Sequence, residues 1–113
     1  MKSILLLLVT LFFSSQSFAQ AVVIDVRTPT EYAEKHVAGA VNIDHSLIST
    51  EIEKLKLAKD DKIILYCRSG RRSGIALEAL KKLGYQNVEN YGGLDEAQSR
   101  LSMQDNDKDK AKK

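Results

Sequence analysis

The only cysteine of the chain, Cys67, stands where a nucleophile is expected. It directly follows the apolar run at residues 63–66, which predicts a buried strand, and a helix is predicted soon after it. The unpaired N–H groups and partial positive charge at a helix N-terminus lower the pKa of a thiol and bind anions. A buried, inert cysteine is the alternative, but it leaves the composition of the connecting segment unexplained. That segment reads Cys67-Arg68-Ser69-Gly70-Arg71-Arg72-Ser73.

The segment after Cys67 has the residues of an anion-binding loop. Gly70 can adopt a positive φ without strain, which would let backbone N–H groups converge above the sulfur. Three arginines lie within five residues of the thiol, and each guanidinium is permanently charged and matches the geometry of an oxyanion. The sequence therefore predicts a thiolate nucleophile that acts on a small anion.

The spacing of the loop separates two anion chemistries. Protein tyrosine phosphatases place an arginine at the sixth position after the cysteine, but here that position is Ser73 and Arg72 comes one residue early. A shorter loop makes a smaller cradle, which suits one sulfur atom better than a tetrahedral phosphate. A small phosphatase remains an alternative hypothesis that hydrolysis of an aryl phosphate would test.

The composition indicates one globular domain. The chain has 113 residues, of which 43% are apolar and 28% charged. Its 17 basic and 15 acidic residues give a net charge of +2, which is too balanced to suggest nucleic-acid binding. One Cys and two His exclude an internal disulfide framework and a Cys-rich zinc finger. His36 and His45 lack carboxylates at ligand spacing, so no metal site is predicted.

Strand and helix patterns alternate along the chain. Apolar runs predict strands at residues 22–26, 40–43 and 63–66, and a weaker strand is predicted at 87–90, just before Gly92-Gly93. Helices are predicted from a Thr28 cap, over 47–57, over 73–83 and over 94–101. The helix at 73–83 should bury one face, made of Ile75, Ala76, Ala79, Leu80 and Leu83. The alternation predicts an α/β fold with a central, mainly parallel sheet and helices on both faces.

The two ends of the chain differ from the middle. Residues 1–19 have a basic start, an apolar centre and small residues before the end, which is typical of a secretory signal peptide cut after Ala19 or Ala21. Cutting 19 of the 113 residues leaves 94. We therefore expect export, with the periplasm as the first expectation and no membrane attachment after cleavage. The folded domain is expected at 20–103, followed by a charged, disordered tail at 104–113.

In its motifs and their order the chain resembles the rhodanese family, in particular the small exported single-domain members that act as thiosulfate sulfurtransferases. The resemblance covers about residues 22–101 and departs from the family at Lys35, where a Gly is frequent, and at Asp44, where a Pro is frequent. It rests on four motifs in the family's order: Val23-Ile24-Asp25-Val26-Arg27 with Glu31-Tyr32, the segment 36–43 from His36, the Cys67 loop with Tyr66, and Gly84-Tyr85 with Gly92-Gly93-Leu94.

The resemblance implies a persulfide mechanism. Cys67 would take the outer sulfur of thiosulfate and pass it to cyanide or a thiol, without a metal or other cofactor. We separately expect the protein to be a monomer. The alternative is a persulfide carrier that a partner enzyme loads and that does not catalyse the transfer itself.

The resemblance also assigns roles around Cys67. Arg72 matches the family's substrate-binding loop arginine. Arg68 binds substrate or pairs with Asp25, a supporting residue, and the two roles are compatible. Arg71 guides anions to the loop. Ser69, Gly70 and Ser73 complete the predicted substrate-binding loop. Independently of the resemblance, Arg27 and Glu31 are four residues apart and are expected to form an ion pair at the helix start.

Overall fold

The computed structural model describes residues 21–111. The predicted signal peptide at 1–19 lies outside the described residues, and the domain limits of 20 and 103 stay a prediction. The strands are β1 Val22–Asp25, β2 Val41–Asn42, β3 Ile63–Cys67 and β4 Val88–Gly93. The α-helices are α1 Pro29–Glu34, α2 Ile48–Glu51, α3 Arg71–Lys82 and α4 Leu94–Ala111, and 3₁₀ turns at His45–Leu47 and Ile52–Leu55 flank α2.

The four strands form one parallel sheet in the order β2-β1-β3-β4. β3 lies between β1 and β4, and all five of its residues are buried. Its two apolar faces explain why its sequence is a continuous apolar run rather than an alternating one. Because β3 is central, its carboxyl end, where Cys67 lies, has a neighbouring strand on each side.

Helices cover both faces of the sheet, which confirms the predicted α/β class. One face of β3 packs against α2 and α3 through a cluster that includes Leu65, Ile48 and Leu80. The other face packs against α4 through a second cluster that includes Tyr66 and Ala97. Each fully buried Leu or Ile side chain contributes about 1.5–3 kcal/mol of hydrophobic free energy, so these two clusters hold the layers together.

The face of α3 that packs on the sheet agrees with the prediction at Ala76, Ala79 and Leu80 but not at Ile75 and Leu83. Ser73, Ala76 and Leu80 are buried, whereas Ile75 is 52% exposed and Leu83 is 38% exposed. The helix begins at Arg71, directly after Gly70, which has φ +93°. The polar Ser73 takes a buried position in the first turn because it contacts Cys67 and Gly70 in the loop that follows β3, and a count of apolar residues could not show that.

Two other predicted helices also differ from the structure. The continuous helix expected at 47–57 is a single turn of α-helix between two 3₁₀ turns, and it ends where Lys56 adopts φ +51°. Helix α4 runs on to Ala111, past residue 104, where we expected a disordered tail. The sequence after Gln104 contains no Gly or Pro that would end a helix, which is consistent with this extension. Within residues 21–111, none of the helices has the length and hydrophobicity of a membrane span.

The start of α1 follows the prediction. Thr28 caps the helix by accepting a hydrogen bond from the Glu31 N–H at 3.2 Å, and the Glu31 carboxylate accepts one from the Thr28 N–H at 3.1 Å. Pro29 occupies the first turn, where its missing N–H costs nothing. This reciprocal cap fixes the carboxylate of Glu31 at the entrance of the helix, close to the loop that follows β3.

Candidate active site

The loop after β3 curls around the sulfur of Cys67. The Gly70 N–H points at Sγ with an N–S distance of 2.9 Å, and the Ser73 hydroxyl lies 3.5 Å from the same sulfur. The positive φ of Gly70, +93°, confirms the predicted glycine conformation and turns the chain back over the sulfur. Cys67 itself is only 1% exposed, so its reactive atom lies at the bottom of the loop.

Two opposing effects act on the pKa of the Cys67 thiol. Burial disfavours the thiolate, but hydrogen bonds from the Ser73 side chain and from backbone N–H groups of Ser73, Ser69 and Gly70 favour it. The hydrogen bonds outweigh burial, so the pKa of Cys67 lies below its ordinary value. A thiolate is the nucleophilic form of cysteine, and the loop therefore activates this residue.

Asn90, on β4, ties the loop to the sheet. Its Nδ2 donates to the Gly70 carbonyl at 2.9 Å, and its Oδ1 lies 2.7 Å from the Ser73 hydroxyl. Oδ1 also accepts from the Gly92 N–H at 2.8 Å. Sequence reasoning missed Asn90, because it lies 17 residues from Ser73 and only the pairing of β3 with β4 brings the two together.

The glycines at the end of β4 let the loop lie close to the sheet. A Cβ on Gly93 would be 2.6 Å from the backbone oxygen of Arg68, which is closer than real Cβ atoms come. A Cβ on Gly70 would be 3.3 Å from Cα of Gly92. Gly93, part of the Gly92-Gly93 motif that the sequence showed, is therefore needed together with Gly70 for the close approach of two backbones.

The three loop arginines have different environments. Arg68 and Arg71 are both exposed; Arg68 lines a cleft beside the loop, whereas Arg71 lies with Gly74 and Glu78 along the outer side of α3. Arg72 donates from Nη1 to Glu31 Oε1 at 2.7 Å and from Nη2 to Oε2 at 3.0 Å. This hydrogen bonding with Arg72 is the main cause that lowers the pKa of Glu31 to about 2.

The expected partners of Asp25 and Arg27 need correction. Asp25 pairs with Arg27 and not with Arg68: Arg27 Nη2 lies 2.6 Å from Asp25 Oδ2, and Arg27 Nε also donates to this carboxylate. The expected pairing of Arg27 with Glu31 is wrong, because Arg27 precedes the helix cap and its side chain folds back over β1. The i,i+4 rule applies only where both residues lie on the helix.

Asp25 is a buried structural link between β1 and β3. The Tyr66 hydroxyl donates to Asp25 Oδ2 at 2.9 Å and accepts from the Val37 N–H at 3.0 Å. Burial is the main cause that raises the pKa of Tyr66 to about 12, with Asp25 acting in the same direction. The phenol thus stays protonated at neutral pH and keeps the carboxylate paired. Asp25 supports the strand that ends in Cys67 and does not contact the sulfur in this network.

The two histidines lie outside the Cys67 loop. The ring of His36 stacks on Tyr32 with centroids 3.7 Å apart, and its Nδ1 lies 2.7 Å from the Tyr32 carbonyl. His45 Nδ1 is 3.1 Å from Asp44 Oδ1. Among the residues that the structure describes, no group of three His, Cys, Asp or Glu side chains is arranged to hold a metal ion.

A cleft of about 540 Å³ adjoins the loop. Arg68 and Gly93 belong to its wall, so it opens beside the backbone that shields the sulfur. The cleft could accommodate the remainder of a molecule whose reactive atom reaches into the loop. Its lining residues are Arg27, Glu31, Glu34, Arg68, Gly93, Leu94, Asp95 and Glu96.

Comparison with known proteins decides the family of this chain. Residues 14–100 match the family model described as Rhodanese-like domain. The chain is 44% identical over 89 residues to the thiosulfate sulfurtransferase PspE of Escherichia coli, which covers 79% of this chain and 86% of that protein. The chain belongs to the rhodanese-like domain family. The resemblance read from the four motifs is thereby confirmed.

Other members of the rhodanese family agree in sequence and in fold. A solved structure described as a rhodanese with anions from E. coli superposes with a TM-score of 0.65 at 42% identity, covering 68% of this chain and 91% of that one. The thiosulfate:glutathione sulfurtransferase of Saccharomyces cerevisiae is 34% identical over 83 residues, which is 64% of this chain and 60% of that protein. These relatives confirm the prediction that the chain is an enzyme of the sulfurtransferase class.

Proposed function

We propose that this rhodanese moves the outer sulfur of thiosulfate onto Cys67 and passes it to a thiophilic acceptor, cyanide or a thiol. The observation that carries the proposal is the 2.9 Å contact between the Gly70 N–H and Cys67 Sγ in a loop that lowers the pKa of the thiol. The names of two relatives support the donor, since PspE is called a thiosulfate sulfurtransferase and the yeast protein a thiosulfate:glutathione sulfurtransferase.

The loading step is a substitution at sulfur. The Cys67 thiolate attacks the outer sulfur of thiosulfate, a bond from Sγ to that sulfur forms, and the sulfur–sulfur bond of thiosulfate breaks. Its electron pair leaves with sulfite. Three negative charges enter the step and three leave it, as the persulfide anion and the sulfite dianion, so no oxidant or reductant is needed.

The unloading step restores the thiolate. A cyanide ion or an acceptor thiolate attacks the outer sulfur of the persulfide, and the bond between that sulfur and Sγ breaks with its electron pair returning to Sγ. The products are thiocyanate or an acceptor persulfide, together with the free Cys67 thiolate. The Gly70 N–H and Ser73 hydroxyl then hold the negative charge on Sγ again.

The three arginines of the Cys67 loop have different roles in binding the sulfur donor. Arg68 and Arg71 are exposed and supply positive charge to an incoming dianion, Arg68 from the wall of the cleft beside the loop. Arg72 was expected to bind the substrate directly, and it uses only two of its five N–H donors on Glu31, one from Nη1 and one from Nη2. We therefore assign the attraction of thiosulfate to Arg68 and Arg71, and to Arg72 both the positioning of the first turn of α3 and, through its remaining donors, contact with the donor.

The carrier hypothesis differs in how Cys67 is loaded. A Bacillus subtilis relative named putative sulfur carrier protein YrkF is 39% identical over 70 residues, although the match covers 36% of that protein. The deep position of Sγ would also favour a donor protein that inserts its own persulfide into the loop. Loading by a persulfidated protein that is much faster than loading by thiosulfate would support a carrier and contradict a thiosulfate enzyme.

We also propose that the chain is exported, in a bacterium to the periplasm. The proposal rests on the signal-peptide pattern at residues 1–19. N-terminal sequencing of protein from the exported fraction should begin at Gln20 or at Val22. Recovery of the intact N-terminus from the cytoplasm would contradict export.

A thiocyanate assay tests the proposed reaction. Wild-type protein given thiosulfate and cyanide should form thiocyanate, and Cys67→Ser should form none, because its hydroxyl cannot carry the sulfur. The same preparation should not hydrolyse an aryl phosphate. Thiocyanate formation by C67S, or phosphate hydrolysis without sulfur transfer, would contradict the proposed function.

A further inference from the structure

The Ser73 hydroxyl has more acceptors within reach than it has protons. Its Oγ lies 2.7 Å from Asn90 Oδ1, 3.1 Å from the Gly70 carbonyl oxygen and 3.5 Å from Cys67 Sγ. A serine hydroxyl donates one proton only. The direction of that proton decides whether the sulfur receives a hydrogen bond from Ser73 or gives one to it.

Other donors already occupy the Gly70 carbonyl. The Gly74 N–H reaches this oxygen at 3.0 Å as the first hydrogen bond of α3, and Asn90 Nδ2 reaches it at 2.9 Å. Because a carbonyl oxygen has two lone pairs, these two donors leave the Ser73 proton a choice between Asn90 Oδ1 and Cys67 Sγ.

The neighbours of Asn90 fix the orientation of its amide. Its nitrogen faces the Gly70 carbonyl, and its oxygen faces the Gly92 N–H at 2.8 Å. A flipped amide would set oxygen against oxygen and N–H against N–H, which both neighbours disfavour. Oδ1 therefore points toward Ser73 as an acceptor. It keeps its hydrogen bond from the Gly92 N–H whether or not the Ser73 hydroxyl also donates to it.

We propose that Asn90 is a positioning residue that directs the single hydroxyl proton of Ser73 to its own Oδ1 or to Cys67 Sγ, according to the charge on the sulfur. When the sulfur is a thiol, S–H donates to Ser73 and Ser73 donates to Asn90. When the sulfur is a thiolate, the Ser73 hydroxyl turns to donate to S⁻, because a charged acceptor outcompetes a neutral amide.

The same switch follows the charge through the reaction, and this part of the inference rests on the proposed function. After loading, the negative charge lies on the outer sulfur and Sγ is a neutral, two-coordinate atom. The Ser73 proton then returns to Asn90 Oδ1. When the acceptor removes the outer sulfur and the charge comes back to Sγ, the proton turns toward the sulfur again. No proton leaves the site in either step.

Loss of the Asn90 amide should act on the thiol form of Cys67 and not on the thiolate. In Asn90→Ala the Ser73 hydroxyl still donates to the thiolate, but in the thiol form it loses its 2.7 Å acceptor and has only the Gly70 carbonyl at 3.1 Å. The pKa of Cys67 should therefore fall by about half a unit, whereas in Ser73→Ala, where the thiolate loses a hydrogen bond, it should rise by about one unit. In the Ser73→Ala background, Asn90→Ala should add nothing further, because no proton remains to be directed.

The rate of Cys67 alkylation by iodoacetamide, followed against pH by intact mass, measures this pKa without thiosulfate. Wild type, N90A, S73A and the double variant form a double-mutant cycle. Asn87→Ala, an exposed asparagine just before β4, is the matched control and should leave the profile unchanged. Arg72, whose charge also interacts with that of Cys67, is present in every variant.

A fall of the pKa in N90A that disappears in the S73A background supports the inference. An equal change in both backgrounds, a rise in N90A, or no change at all overturns it, since Asn90 would then act only on loop structure or not at all.

If N90A does not fold, Asn90→Asp is the second variant. Its carboxylate keeps the shape and holds the Ser73 proton more firmly, so its effect on the pKa should be larger with Ser73 than without it, and equal effects would overturn the inference. The two proposals can fail separately. If the double-mutant cycle of Cys67 pKa values has the expected form but the protein never takes sulfur from thiosulfate, the proposed function is contradicted and the proton switch remains supported.

Discussion

Arg72 and Glu31 form a two-pronged ion pair, with Nη1 2.7 Å from Oε1 and Nη2 3.0 Å from Oε2. The pair joins the first turn of α3 to the first turn of α1, across 41 residues of sequence. Glu31 also closes the cap of α1 with Thr28, so one carboxylate fixes two helix starts. The loop around Cys67 is therefore anchored from the α1 side by Arg72 and from the β4 side by Asn90.

Glu31→Gln should lower the free energy of unfolding by about 1 kcal/mol at pH 7, which is the size expected of a well-formed, partly exposed ion pair. Glutamine can still complete the helix cap, so the variant isolates the charge interaction with Arg72. Glu34→Gln, an exposed change on the same helix, is the control and should have a much smaller effect. Urea unfolding measures both variants.

The contribution of the Arg72–Glu31 ion pair to the free energy of unfolding should depend on pH. The pKa of Glu31 is lowered from 4.5 to about 2, so its stabilising effect is complete above pH 4.5 and is lost as the pH falls through 2. The advantage of wild type over E31Q in urea unfolding should therefore shrink between pH 4.5 and pH 2. An advantage that does not change across this range would mean that the ionised carboxylate is not the source of the stability.

Arg68→Gln and Arg71→Gln should each raise the KM for thiosulfate roughly fivefold, corresponding to about 1 kcal/mol, with a smaller change in kcat. The reason is that both exposed guanidiniums attract the dianion and take no part in breaking its sulfur–sulfur bond. The effect should weaken at high salt because exposed charges are screened. Arg100→Gln is the control, since Arg100 lies over the ring of Tyr91 on the α4 side of the sheet. An unchanged KM in both loop variants would exclude them from donor binding.

Gly93→Ala should strongly reduce both stability and sulfur transfer. The added Cβ would lie 2.6 Å from the Arg68 carbonyl oxygen, and a backbone atom in the loop would have to move. Gly74→Ala is the matched control, since its Cβ would make an ordinary 3.7 Å contact with Asn90 Nδ2 and alanine favours helix by about 1 kcal/mol. Thermal unfolding and the thiocyanate assay should therefore rank G74A close to wild type and G93A far below it. Similar behaviour of the two variants would contradict the close approach of the loop to β4.

Tyr66→Phe should cost about 2 kcal/mol of stability while leaving the pKa of Cys67 in place. The change removes the hydroxyl that links Asp25 to the Val37 N–H, and buried groups that lose their partners carry a desolvation cost. Tyr85→Phe is a matched buried change on the other face of the sheet. A large shift in the alkylation profile of Y66F would mean that the Asp25 network acts on the sulfur, contrary to its assignment as structural.

The local features of this site could be predicted from the sequence. The run before Cys67, the turn at Gly70 and the cap at Thr28 each depend on a few neighbouring residues, and the structure has all three. The hydrogen bonds by which Asn90 holds Gly70 and Ser73 could not be predicted. It depends on the register of β4 against β3, which includes a shift between Leu65 and Cys67 that no local pattern encodes.

The ion pairs were mispredicted for a related reason. Arg27 and Glu31 have helical spacing, but Arg27 lies before the cap and turns back to Asp25, two residues away. Glu31 then pairs with Arg72, which only the packing of α3 beside α1 brings within reach. Spacing rules describe residues on one element, whereas the charges around this loop come from three elements.

The most direct test of the account is the intact mass of the protein before and after incubation with thiosulfate. Wild type should gain one sulfur atom, about 32 Da, and lose it again on addition of cyanide, while C67S should show no change. A wild-type mass that does not change with thiosulfate, or the same gain in C67S, would contradict sulfur transfer through Cys67.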